Sequence, residues 1–215
     1  MRPAAVLFDC DGVIVDSEKI TLRLFADSLA RHGLPLVPAE IESLFLGGTL
    51  ASAADEARRR GARLPEDWVE ATYEEMFARL AEGTPLIPGI EPLLDALDKA
   101  AIPHAVGSNG PHRKMAVTLG QHPALHARLE GRIFSREDVA RPKPAPDLYL
   151  HAARALGADP ARCAVIEDSP SGVRAALAAG MCCYGFAAGT DGNRLAAIGA
   201  IPFRAMADLQ DLLCL

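Results

Sequence analysis

The sequence predicts an α/β fold, a Rossmann-like parallel sheet core carrying an inserted α-helical cap domain. Three observations predict it: short apolar runs that end at turns or polar clusters, amphipathic stretches between them, and a first interval too long for a single crossover. The apolar runs are Ala5 to Phe8, His104 to Gly107, Arg132 to Phe134, Cys163 to Ile166, Met181 to Phe186 and Ile201 to Phe203, the pattern of strands buried on both faces. Between them, Ile90, Leu93, Leu94 and Leu97 fall at helical spacing, and Val173, Ala176 and Leu177 form a second stripe closed by Gly180. Strand and helix thus alternate, as parallel neighbours require.

The first interval breaks this rhythm. Asp9 and Ser108 lie 99 positions apart, whereas one crossover takes roughly 30 residues. The surplus is helical in pattern. Leu22, Phe25, Ala26, Leu29 and Ala30 form a stripe ending at Gly33; Ile41, Leu44 and Phe45 suggest a second helix; Leu50, Ala53, Ala54 and Ala57 form a third ending at Gly61; Val69, Tyr73, Met76, Phe77 and Leu80 form a fourth. Gly83, Pro85, Pro88 and Gly89 then punctuate the return to the sheet. The predicted division is a helical insert at 17–86 and a core made of 1–16 and 87–215.

Composition bounds the function. The chain has 215 residues, half of them hydrophobic, and a net charge of −6, which suits a soluble globular protein and offers little attraction for nucleic acid. Apolar runs fall short of the roughly 18 residues of a membrane helix, and Pro3 to Phe8 is too short for a signal-peptide core, so a cytoplasmic protein is expected. The five cysteines show no CxxC or zinc spacing and read as reduced thiols. Cys10 lacks the arginine six positions on that a cysteine phosphatase needs, since Asp16 stands there. No GxGxxG follows the first strand and no P-loop occurs.

Four strand ends carry the chemistry. Asp9 and Asp11 follow the first strand two residues apart, so their carboxylates point the same way at the end where open α/β sheets bind ligands. Such crowding of acids suggests a cation, or one carboxyl held protonated by its neighbour. Gly107-Ser108-Asn109-Gly110-Pro111 offers backbone N–H groups and a hydroxyl for an anion, with Pro111 suited to the first helical position. Arg141-Pro142-Lys143-Pro144 sets a cation in a stiffened loop, and Glu167-Asp168 closes a buried strand with hard oxygen ligands that favour Mg²⁺. Each residue alone also fits a helix cap or turn. Their ordered recurrence is what points to a site.

In this pattern the chain resembles the haloacid dehalogenase superfamily of phosphotransferases over essentially its whole length. Asp9 to Glu18 is similar to the family's first motif, and Ser108, Lys143 and Glu167 to Gly172 stand where the other three fall. An insert just after the first motif resembles the α-helical cap of subfamily I, as in β-phosphoglucomutase-like and 6-phosphogluconate phosphatase-like members. The resemblance implies that Asp9 is the nucleophile that forms an aspartyl-phosphate and Asp11 the acid and base. It further implies that Ser108 and the Asn109 amide hold phosphate oxygens and that Lys143 bridges phosphate and Asp9. Mg²⁺ is expected on Asp9, the Asp11 carbonyl and Asp168, with Glu167 acting through water.

The substrate is expected to be a small phosphate ester, a sugar or sugar-acid phosphate. Asp11 favours ester chemistry, because family dehalogenases and phosphonatases lack an Asp there. Gly47 and Gly48, in the loop Phe45 to Thr49, are similar to a substrate-specificity loop, where glycine lets backbone approach a ligand. A sugar phosphomutase is the alternative, disfavoured because Thr21 and Leu50 align with the mutase's cap His and Arg. A non-catalytic phosphate-receiving module is a third reading, which Asp11 and the long insert argue against.

Overall fold

The computed structural model describes residues 2–45, 50–188 and 192–215. Gly47 and Gly48 lie outside the described residues.

The chain divides into two compact units, residues 1–16 with 85–215 and residues 17–84. The first is built on a six-stranded sheet of β1 (Ala5–Phe8), β2 (His104–Ser108), β3 (Ile133–Ser135), β4 (Cys163–Glu167), β5 (Cys182–Phe186) and β6 (Ile201–Phe203). Each strand lies within one residue of the apolar run that predicts it. The order is β3-β2-β1-β4-β5-β6, with every pairing parallel.

The four helices of the second unit are α1 (Glu18–Arg31), α2 (Pro38–Phe45), α3 (Leu50–Arg59) and α4 (Trp68–Ala81). Those of the first are α5 (Ile90–Lys99), α6 (His112–Leu119), α7 (Pro123–Arg128), α8 (Asp147–Ala155), α9 (Pro170–Ala178), α10 (Asn193–Ala196) and α11 (Asp208–Leu212). Among the described residues, no helix is long and apolar enough to cross a membrane.

Alternation along the strands splits the core into two apolar clusters. Val6, Phe8, Val106 and Ile166 pack with Leu93, Leu94 and Leu97 of α5 and Met115 of α6. Ala5, Leu7, Ala105 and Val165 pack with Tyr149 and Ala152 of α8 and Val173 and Ala176 of α9. Covered on both faces, the sheet exposes ligand-accessible backbone chiefly at its strand ends. The order reverses between β1 and β4, which opens a crevice at their carboxyl ends. Phe8 pairs with Ile166 in register, so Asp9 and Glu167 emerge side by side.

Several expected faces shift. In α1 the buried residues are Leu24, Phe25, Ser28 and Leu29, while Ala30 is exposed. The reason is Trp68, whose buried Nε1 donates to Ser28 Oγ at 2.9 Å; a buried indole needs an acceptor. In α4, Trp68 and Thr72 join Met76, Phe77 and Leu80 inside. Leu177 is exposed, and Ala175 takes its place beside Val173 and Ala176. Pro111 precedes α6 in an extended conformation instead of opening it. Pro85 and Leu86 belong with the sheet unit, where Asp16 N donates to Pro85 O at 2.8 Å and Leu86 bridges Val15.

Candidate active site

The site grows from the end of β1. Asp9 N donates to Ile166 O at 2.9 Å, which extends the strand pairing by one residue. The chain then turns sharply through Gly12, where φ is +77°. A Cβ there would stand 1.9 Å from Asp168 Oδ2, so the turn needs glycine both for its backbone and for the carboxylate packed against it.

Lys143 reaches this point from its loop. Its ammonium, almost wholly buried, lies 2.5 Å from Asp9 Oδ1 and 2.7 Å from Glu167 Oε1, and 4.6 Å from the centre of the Tyr149 ring. Asn109 sets the loop's position. Its side-chain Nδ2 donates to Lys143 O at 3.0 Å, and its Oδ1 accepts from Lys143 N at 3.0 Å. The Asn109 side chain is thus turned to the lysine loop.

Ser108 ends β2 as a buried hydroxyl whose oxygen accepts from Gly110 N at 2.9 Å. Ser135 Oγ donates to Gly110 O at 2.8 Å, and His112 N donates to Glu137 Oε2 at 2.9 Å. The loop 108–112 is therefore braced from β3 and the turn after it. The His112 ring pairs with Asp138 at 2.8 Å.

Glu167 is fully buried and surrounded by donors. Lys143 Nζ and Tyr149 Oη donate to Oε1, and Asp168 N, Ser169 N and Ser169 Oγ donate to Oε2. Gly172 makes room for it, since a Cβ there would stand 1.6 Å from Oε1. Asp9, Glu167 and Asp168 each offer a carboxylate oxygen within 4.8 Å of the others. Three hard oxygens at that spacing fit Mg²⁺, and of the three carboxylates Glu167 already accepts five hydrogen bonds.

Burial raises the Asp9 carboxyl to about 7, against the pull of Lys143 and with the push of Glu167 and Asp11. Burial works against the Lys143 charge, yet Asp9 and Glu167 hold its proton more tightly than in water. Burial, with Asp11 and Asp9 beside it, drives the Cys10 thiol well above its ordinary value, so it is no nucleophile.

The structure brings Asp9, Lys143, Glu167 and Asp168 into one cluster, with Asn109 and Ser108 joined to it through the loop. It also adds two residues the sequence did not single out. Tyr149 reads as a core aromatic of α8, and Lys114 as a charge on a polar helix; Lys114 Nζ lies 2.8 Å from Asp11 Oδ1.

Comparison with known proteins gives the family. The profile of the haloacid dehalogenase-like hydrolases matches residues 3–180. The chain is 35% identical over 189 residues to the 6-phosphogluconate phosphatase of Escherichia coli (strain K12), covering 87% of this chain and 84% of that enzyme. It is 36% identical over 183 residues to hexitol phosphatase A of the same bacterium, covering 84% and 81%. A HAD family hydrolase from Deinococcus radiodurans R1, solved with bound phosphate and sodium, superposes with a TM-score of 0.83 at 34% identity, covering 98% of this chain and 95% of that one. With the profile spanning most of its length and relatives this similar, the chain belongs to the haloacid dehalogenase-like hydrolase family.

Proposed function

We propose that this hydrolase is a Mg²⁺-dependent phosphomonoesterase that acts on small sugar, sugar-acid or hexitol phosphates through an aspartyl-phosphate on Asp9. One arrangement carries the reading: a buried carboxylate in contact with a buried ammonium, Asp9 to Lys143 at 2.5 Å, with the Asp168 carboxylate beside it. The names of the two Escherichia coli relatives support the substrate class.

A carboxylate about 4 Å from a phosphate dianion meets repulsion of about 8 kcal/mol at an effective dielectric of 20. Lys143 offsets this by placing its charge against both the nucleophile and the incoming phosphate. Asp9, the backbone carbonyl of Asp11 and Asp168 would hold Mg²⁺, with Glu167 acting through water; when bound, the ion supplies further positive charge where the phosphate sits. Because Ser108 Oγ accepts from Gly110 N, its proton can be given to a phosphate oxygen, and the Asn109 N–H can serve a second.

Asp9 attacks phosphorus and Asp11 gives its proton to the leaving oxygen; Asp11 then takes a proton from the water that releases phosphate. The helical unit 17–84 would serve as the family's cap and choose the alcohol, and Gly47 and Gly48 enter this reading on the resemblance alone. A panel of phosphorylated metabolites assayed for phosphate release, with Mg²⁺ and after chelation, tests the proposal. Release from sugar, sugar-acid or hexitol phosphates only with metal is expected. No release from any ester, or undiminished release after chelation, contradicts it.

A further inference from the structure

Lys114 is a largely withdrawn cation for which the mechanism above has no task. It is the third residue of α6, and side chains on a helix lean toward its N-terminus, here toward the phosphate loop. Two costs attend this position. Its side chain is only 14% exposed, and a withdrawn ammonium is expensive without a partner; the first turn of a helix also disfavours positive charge. A solvent-facing lysine would avoid the first and have the second screened by water.

What offsets them is Asp11, whose Oδ1 lies 2.8 Å from the ammonium. The pair lies against Gly110, where a Cβ would meet Ser108 Oγ at 3.2 Å, Lys114 Cδ at 3.4 Å and Asp11 Oδ2 at 3.7 Å. The phosphate-loop hydroxyl, the lysine stem and the Asp11 carboxylate therefore surround one point.

We propose that Lys114 is a positioning residue for phosphoryl transfer: its ammonium fixes the Asp11 carboxyl in the orientation from which that group exchanges a proton with the departing alcohol. The inference rests on the reading of Asp11 as acid and base. As the Asp9 oxygen bonds to phosphorus, the bond to the alcohol oxygen breaks, its electron pair stays on that oxygen, and the Asp11 proton moves to it. The carboxylate left behind is held by Lys114. Water then bonds to phosphorus, one of its protons returns to Asp11, and the bond between phosphorus and Asp9 breaks.

An alkoxide needs that proton to leave, whereas p-nitrophenolate leaves without one. The test compares kcat/KM for p-nitrophenyl phosphate and for a hexitol phosphate, with Mg²⁺, in the wild type, K114M and K114R. kcat/KM covers the steps through phosphoenzyme formation. In K114M the hexitol phosphate is expected to lose at least ~10-fold more than p-nitrophenyl phosphate, within the range of general acid help, and K114R to recover part of the difference. K114Q carries the same comparison if K114M does not accumulate. Equal losses on both esters, which a merely structural role or a phosphate-binding role would give, or no loss on either, overturn the inference and leave the phosphatase reading standing. A wild type that hydrolyses neither these two esters nor any other member of the metabolite panel overturns both.

Discussion

Tyr149 donates its phenolic hydrogen to Glu167 Oε1 at 2.8 Å, the oxygen that also receives the Lys143 ammonium at 2.7 Å. Lys143 is thereby held between two carboxylates and the face of a ring, and Glu167 acts chiefly as its anchor. Y149F removes one hydrogen bond and keeps the ring, and should cost about 1 kcal/mol in urea unfolding. E167A leaves the phenol without its acceptor and the buried ammonium with Asp9 as its remaining carboxylate, and should cost more than Y149F, about 3 kcal/mol. Equal losses in the two variants would contradict this assignment.

Gly12 is tied to the proposed metal ligands through Asp168. A Cβ at this position would overlap Asp168 Oδ2 at 1.9 Å, and the backbone there has φ of +77°. G12A should displace the carboxylate and weaken Mg²⁺ binding, followed by titration calorimetry, by at least about 10-fold, in the range seen when a ligand's support is lost. Wild-type affinity in G12A would show that Asp168 does not bind the ion.

Asn109 fixes Lys143 through two main-chain bonds, each 3.0 Å. N109A should lower kcat on the order of 10–100-fold by letting the ammonium drift. N109D retains the acceptor but loses the donor, and should fall between N109A and wild type if its added charge is neutralised by Lys143. Unchanged kcat in N109A would mean that the lysine loop holds its own position.

His104 lies at the opposite end of β2 and gives the fold a pH dependence unrelated to the site. It is fully buried; its Nδ1 is 3.3 Å from Ile102 O, its Nε2 has no hydrogen-bond partner among the described residues, and Asp98 Oδ1 stands 3.8 Å from that nitrogen. Burial lowers its pKa below 6.5, opposed by the Ile102 carbonyl and Asp98 and aided by Arg132 and Arg128. The unfolded chain therefore takes up the proton first as pH falls. The contribution of His104 to stability is complete above pH 6.5 and is lost as pH drops through its folded value. Urea midpoints between pH 7.5 and 5 should fall more steeply in wild type than in H104Q; parallel curves would contradict the assignment.

The strands were legible because a parallel sheet buried on both faces writes continuous apolar runs, and the runs that build the site end in the polar residues that open its loops. The α5 stripe of Ile90, Leu93, Leu94 and Leu97 was equally plain, and all four side chains are buried. What pattern alone does not carry is partnership across the fold. Ser28 looks like a surface residue until Trp68, 40 positions later, presents its indole N–H. Tyr149 sits among apolar neighbours on α8, and its hydroxyl acquires meaning only through Glu167. The Asn109 clamp joins residues 34 positions apart, a relation that neither helical nor strand periodicity encodes.

The account's central claim is that Asp9 accepts the phosphoryl group. Steady-state phosphate release by D9N, with Mg²⁺ and the best ester of the metabolite panel, addresses it most directly, because Asn preserves the size of the side chain and replaces the nucleophilic carboxylate with an uncharged amide. Loss of release to background is the predicted result. Turnover by D9N close to that of the wild type would contradict the account.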